Sequence, residues 1–160
     1  MRIGVTGHMD LTDDTVPLVA RAIRDALTPH ADGNLTGVSC LARGTDSIFA
    51  QVIIDLGGKL EVVLPSTNYR DTKVKPDHAP LFDRLLTLAT TVRAMPFDTA
   101  GRDAYAAANE AVLDSIDQLV AVWDGQPSTG QGGTADAVAE ARHRALAVTV
   151  IWPNGASRSR

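Results

Sequence analysis

The sequence predicts an α/β fold, with a doubly wound parallel sheet flanked by helices in a single domain. Three observations predict it. Short β-rich runs alternate with longer amphipathic stretches along the whole chain. The short runs are nearly all apolar, as strands buried on both faces should be. Three of the turns that follow a short run carry glycine, the residue a tight strand-to-helix passage uses. Strict alternation implies right-handed crossovers between parallel neighbours.

Each element has its own signal. Residues 2–7, RIGVTG, read as a first strand. Residues 12–27 follow with apolar side chains at 16, 19, 23 and 27, a helical spacing. Thr12 or Asp13 is placed to cap this helix. Residues 35–42 form the second strand, and 45–57 the second helix, closed by Gly57 and Gly58. Residues 59–65 are the third strand. A long irregular stretch, 66–80, precedes a helix at 81–89 and a fourth strand at 90–95. A strong helix at 102–116 leads to the fifth strand, 117–124. A last helix, 134–146, and a sixth strand, 147–153, complete a Rossmann-like pattern. The domain is expected to span 1–154, with 155–160 a frayed tail.

Composition narrows the function. The chain has 160 residues, enough for one sizeable core. Its formal net charge of −4 argues against a dedicated nucleic-acid binder, which is usually basic. A single cysteine, Cys40, forbids an internal disulfide and reads as a small buried apolar residue. No leader sequence is read at MRIGVTGH, and no apolar run approaches a membrane span, so a cytoplasmic protein is expected. His8, His30, His78 and His143 lack metal-ligand spacing, so no metal is expected, and no separate cofactor. The dinucleotide fingerprint, the P-loop and the G-x-S-x-G elbow are all missing.

Ligands of such sheets bind beyond the carboxyl ends of the strands, where strand order reverses. The glycine-bearing turns there hold the candidates. In residues 124–134, DGQPSTGQGGT, glycines precede a helix whose first N–H groups and dipole face outward. Gly130, Gly132, Gly133 and Thr134 are expected to cradle a phosphate, with Ser128 and Thr129 as extra donors. A flexible loop with a threonine cap is the plainer reading. In the first turn, Thr6, Gly7 and His8 pass close to a ligand, His8 as a donor, or as a solvent-exposed or capping residue. In the second, Arg43 is a bidentate anion donor, beside Gly44 and Thr45 at a helix start. Asp46 there serves the ligand or only complements the helix dipole. Asp124 is placed to accept from a ribose hydroxyl. Residues 66–80 form a lid or a solvated loop.

Three blocks together resemble the SLOG superfamily, which includes the LOG phosphoribohydrolases (the lysine-decarboxylase-like proteins) and DprA. SCLARGTDSIFAQ, at 39–51, is similar to the DprA pattern S-G-x-A-x-G-[IT]-D. GGKLEVVLPSTNY, at 57–69, resembles the strand that follows it there. Residues 107–141 resemble the closing block of both groups, with Asn109 and the 130–134 glycines in register. The resemblance implies a nucleotide-binding Rossmann-like fold, a ligand contact for Asn109, and assembly as a homodimer or higher homo-oligomer.

One departure bears on chemistry. LOG enzymes carry P-G-G-x-G-T-x-x-E, and aligning Gly133-Thr134 puts Ala137 where the glutamate stands. Asp136 is one position early, about 100° round a helix, and Glu140 nearly a turn late. They are the weak catalytic candidates, with Asp124 the other carboxylate that could take the glutamate's place. The expected function is therefore binding of a nucleotide or a nucleotide-derived phosphorylated metabolite, as a sensor or carrier. N-glycosidic hydrolysis of a nucleoside monophosphate is the alternative, and DprA-like binding of single-stranded DNA the second alternative.

Overall fold

A computed structural model describes residues 1–128 and 133–159. Six strands form one parallel sheet: β1 (Arg2–Gly7), β2 (Thr36–Ser39), β3 (Lys59–Leu64), β4 (Thr91–Ala94), β5 (Gln118–Val122) and β6 (Ala147–Ile151). Their spatial order is β4-β3-β2-β1-β5-β6, with every pairing parallel. The chain winds outward from β1 through β2, β3 and β4, then returns to place β5 on β1's other side. The crevice between the ends of β1 and β5 is thus the topological switch point.

Alternation along the strands sends side chains to two cores. Ile3, Val5, Leu60, Val62, Val120 and Val122 face α1 (Thr15–Leu27), α2 (Thr45–Asp55) and α4 (Ala79–Leu88), packing with Ile23, Phe49 and Phe82. Val38, Val63 and Leu119 face the other way, with Val112 and Leu113 of α5 (Arg102–Asp114) and Ala141 of α6 (Thr134–His143). Val19, Ile23 and Leu27 form the buried stripe of α1 as the spacing predicts, but Val16 is exposed and Thr15 takes the buried place beside it.

The fold class stands as expected, and three details are corrected. The stretch 66–80 is not wholly irregular: it holds a short helix, α3 (Tyr69–Lys73), and α4 begins inside it at Ala79. The strands are not all buried on both faces, because β4 and most of β6 lie at open sheet edges and are exposed. The tail does not fray at 157–159. Ser157 exchanges hydrogen bonds with Thr15, its N–H donating to Thr15 Oγ1 at 2.9 Å. Ser159 donates to the Asp10 carbonyl, and Leu11 and Arg158 form an antiparallel bridge. A polar sequence hid a segment held by main-chain pairing.

Candidate functional site

The turns after β1 and β2 are locked to each other. The Thr45 N–H and hydroxyl both donate to the His8 carbonyl, at 3.3 and 2.9 Å. Thr45 is fully buried, and a Cβ on Gly7 would stand 2.4 Å from its methyl carbon. Gly44 takes a φ of 79°, where a Cβ would lie 2.8 Å from the His8 and Met9 carbonyl oxygens. These glycines answer to the protein's own atoms. Gly7, Gly44 and Thr45, expected from the sequence at a ligand, fix the loop that carries His8.

His8 itself is buried beneath the switch point. Its Nε2 lies 3.1 Å from the Asp124 amide and 3.2 Å from Asp124 Oδ1. The ring meets Trp152 edge-on, with centroids 5.6 Å apart. An amide only donates, so Nε2 is the acceptor of that bond. Asp124 also accepts from the Gln126 amide at 3.0 Å, and its Oδ2 faces Arg158 Nη1 at 3.6 Å. Burial pushes the Asp124 carboxyl up, but the Gln126 amide, His8 and Arg158 outweigh it and hold it below its ordinary value. Arg158 Nε in turn donates to Asp10 at 2.9 Å. Asp10, Asp124, Gln126, Trp152, Ser157 and Arg158 line a cleft of about 580 Å³.

The glycine-rich segment enters this region from Asp124. Gly130, Gly132 and Thr129, Gln131 lie outside the described residues. Its two ends are described. Among the described residues, Ser128 Oγ is a buried polar atom with no hydrogen-bond partner. It lies 2.4 Å from where a Cβ on Gly133 would stand. Gly133 is the N-cap of α6 and Thr134 its first residue, so the helix's unpaired amides begin beside that hydroxyl. The room above Gly133 is taken by Ser128.

The remaining candidates scatter. Arg43 is exposed and paired with Asp77 of the turn before α4. Asn109 is exposed on α5, and Thr6 lies within β1 opposite Ala121. Glu140 pairs with Arg144, which also pairs with Asp114 at the end of α5. That network joins the C-terminal ends of α5 and α6. Asp136 is exposed in the first turn of α6.

Asp46, read from the sequence as a ligand or helix-dipole residue, stands in the first turn of α2. Asp46 accepts from the Ala42 amide at 3.4 Å, and burial pushes its carboxyl up to about 7. Its charge in turn raises the thiol of Cys40 and the hydroxyl of Tyr69, both already pushed up by burial. Sequence reasoning missed the tail residues Ser157 and Arg158, since nothing in ASRSR announces a docked segment.

Among the described residues, no group of three or more His, Cys, Asp or Glu is placed to hold a metal, and no helix is long and apolar enough to cross a membrane. No family model matches the chain, and no curated protein matches it. Solved structures do. DNA processing protein A of Helicobacter pylori, described for its single-stranded DNA binding, superposes with a TM-score of 0.70 at 15% identity. That match covers 99% of this chain and 68% of that one. DNA processing protein A of Streptococcus pneumoniae gives 0.68 at 16% identity, over 96% of this chain and 51% of that one. The chain thus spans about half of the S. pneumoniae protein. The molybdenum cofactor binding protein of Rippkaea orientalis gives 0.57 at 18% identity, over 93% and 74%. The chain therefore shares the Rossmann-like fold of these proteins.

Proposed function

We propose that this chain binds a nucleotide or nucleotide-derived phosphorylated metabolite in the crevice between the ends of β1 and β5, as a sensor or carrier. The observation that carries the reading is the Ser128 hydroxyl, buried without a partner beside the N-cap of α6 among the described residues. A buried hydroxyl left unmatched costs free energy, and an anionic group at a helix N-terminus would satisfy it together with the helix amides. A phosphate there, with Gly130, Gly132 and Gly133 giving its oxygens main-chain donors, leaves the attached sugar beside Asp124. A fold shared with a molybdenum cofactor binding protein is compatible with a phosphorylated ligand, since this fold is not tied to one base.

Glycosidic hydrolysis is the weaker reading. Ala137 stands in the glutamate's place, and Glu140 is turned into the network with Arg144. That leaves Asp136 as its single carboxylate on α6's first turn. The DNA reading draws on the DprA-like fold and conflicts with the acidic charge. Assembly as a homodimer or higher homo-oligomer belongs to the same proposal, and the exposed edge residues Val92 and Val150 are compatible with it.

Calorimetry with AMP, GMP, ribose 5-phosphate and inorganic phosphate tests the binding reading. Saturable binding of at least one phosphorylated nucleoside is expected, tighter than phosphate alone. No binding by any of them, with no nucleotide retained in native mass spectra of the purified protein, overturns it.

A further inference from the structure

We propose that the C-terminal segment Trp152 to Ser159 is a wall of the ligand cleft, and that Arg158 aligns Asp10 and Asp124 to receive the two adjacent hydroxyls of a ribose. This rests on the nucleotide reading above and assigns its sugar subsite.

The carboxylate oxygens are already sorted. Asp124 Oδ1 accepts from the Gln126 amide at 3.0 Å and faces His8 Nε2 at 3.2 Å. Its Oδ2 has only the longer approach of Arg158 Nη1, 3.6 Å, among the described residues. Asp10 Oδ1 is taken by Arg158 Nε at 2.9 Å. One planar guanidinium thus spans two carboxylates and leaves each an oxygen able to accept. Two acceptors held by one rigid fork suit two neighbouring hydroxyls that each donate one hydrogen bond. Trp152, whose ring packs T-shaped with His8, supplies an apolar wall, and Ser157 and Gln126 supply polar ones.

The segment is built into place. The Ser157 carbonyl accepts from the Thr12 amide at 3.2 Å and from the Thr15 hydroxyl at 3.1 Å. The Ser159 amide and hydroxyl both donate to the Asp10 carbonyl, at 2.6 and 3.0 Å. These bonds tie the tail across the turn after β1, so Arg158 reaches the cleft on a fixed backbone. Arg158 is a positioning residue on this account, acting through the two carboxylates.

The test compares AMP with 2′-deoxy-AMP by calorimetry, on the wild type, Arg158→Gln and Asp124→Asn. The wild type is expected to prefer AMP by about tenfold, the scale of one hydrogen bond to a charged group. Arg158→Gln is expected to reduce that ratio to near one, with thermal unfolding unchanged within a few degrees. Arg158→Lys, which keeps the charge and loses the fork, is expected to restore only part of it. If the wild type binds both nucleotides equally, or Arg158→Gln keeps the full ratio, the sugar subsite is wrong while nucleotide binding stands. If the wild type binds neither nucleotide, the nucleotide reading falls and this proposal falls with it.

Discussion

The imidazole Nε2 of His8 accepts from the main-chain N–H of Asp124 at 3.1 Å, joining the turns after β1 and β5 across the switch point. This bond crosses the crevice where the ligand is proposed to sit, and it closes over a ring that is only 7% exposed. The backbone after β5 is thereby set relative to β1 before the glycine-rich segment begins.

His8→Ala should therefore do two things. It leaves the Asp124 amide without its partner and opens a cavity beside Trp152, which together should cost about 1–3 kcal/mol of stability. It should also weaken AMP binding, because Asp124 loses a support. His8→Gln, whose carbonyl oxygen can accept the same N–H, should recover part of both losses. Urea unfolding and calorimetry on the two variants check this. A His8→Ala variant as stable as the wild type would show that the bridge carries no energy.

Asp46 gives a pH dependence with a definite sign. Its carboxyl is raised from 3.8 to about 7 in the folded chain, chiefly by burial. Between those values the folded state binds a proton that the unfolded state has lost. Stability must then fall as pH rises through that window, by up to about 1.4 kcal/mol per pH unit. Asp46→Asn should remove this slope and leave the neutral-pH protein more stable than the wild type. Chemical denaturation at about pH 4.5, 5.5 and 6.5 reads it out. A wild-type slope that is flat, or that survives in Asp46→Asn, would show that Asp46 is ionised in the fold.

How much of this was legible in the sequence depends on the interaction range. The six strands were legible because each is a short apolar run bounded by turn residues, and parallel order followed from the helices between them. The glycines at 7, 44 and 133 were visible, but their reason was not. Only coordinates show that Thr45 fills the space at Gly7 and Ser128 the space at Gly133. Asp124 was singled out because it ends a strand at the binding edge. Its neighbours Asp10 and Arg158 are 114 and 34 positions away along the chain and share no motif with it. Glu140 was a candidate only by its nearness to the motif glutamate's place, and it is ion-paired with Arg144.

The glycines of the locked turns differ in what a side chain would meet. At Gly7 the obstacle is the Thr45 side chain, with its methyl at 2.4 Å and its hydroxyl at 2.6 Å. Gly7→Ala should cost about 1–3 kcal/mol by overpacking, and Thr45→Ala in the same chain should relieve part of it. At Gly44 the obstacle is main chain, and φ is 79°, so no single side-chain change can relieve it. Gly44→Ala should thus be the more damaging substitution and resist rescue by Thr45→Ala. A double-mutant cycle with thermal unfolding tests both statements. Equal rescue at the two positions would contradict the distinction.

Ser128 offers the sharpest separation of stability from function. Its hydroxyl is buried and, among the described residues, unmatched, so the folded chain bears the cost of desolvating it. Removing it in Ser128→Ala should leave the unliganded protein as stable as before or up to about 1 kcal/mol more so. If that hydroxyl waits for a phosphate oxygen at the start of α6, the same variant should bind AMP about five- to tenfold more weakly, the worth of one such hydrogen bond. Gly133→Ala attacks the same spot from the other side, since its methyl would collide with Ser128 Oγ at 2.4 Å. It should lower both stability and affinity, and Ser128→Gly in the same chain should restore the stability without restoring the lost donor. Opposite signs for stability and binding in Ser128→Ala are what a strained ligand contact produces. A variant that loses stability and keeps its full affinity for AMP would mean that the hydroxyl serves the fold, and the phosphate would have to be sought elsewhere on the sheet's edge.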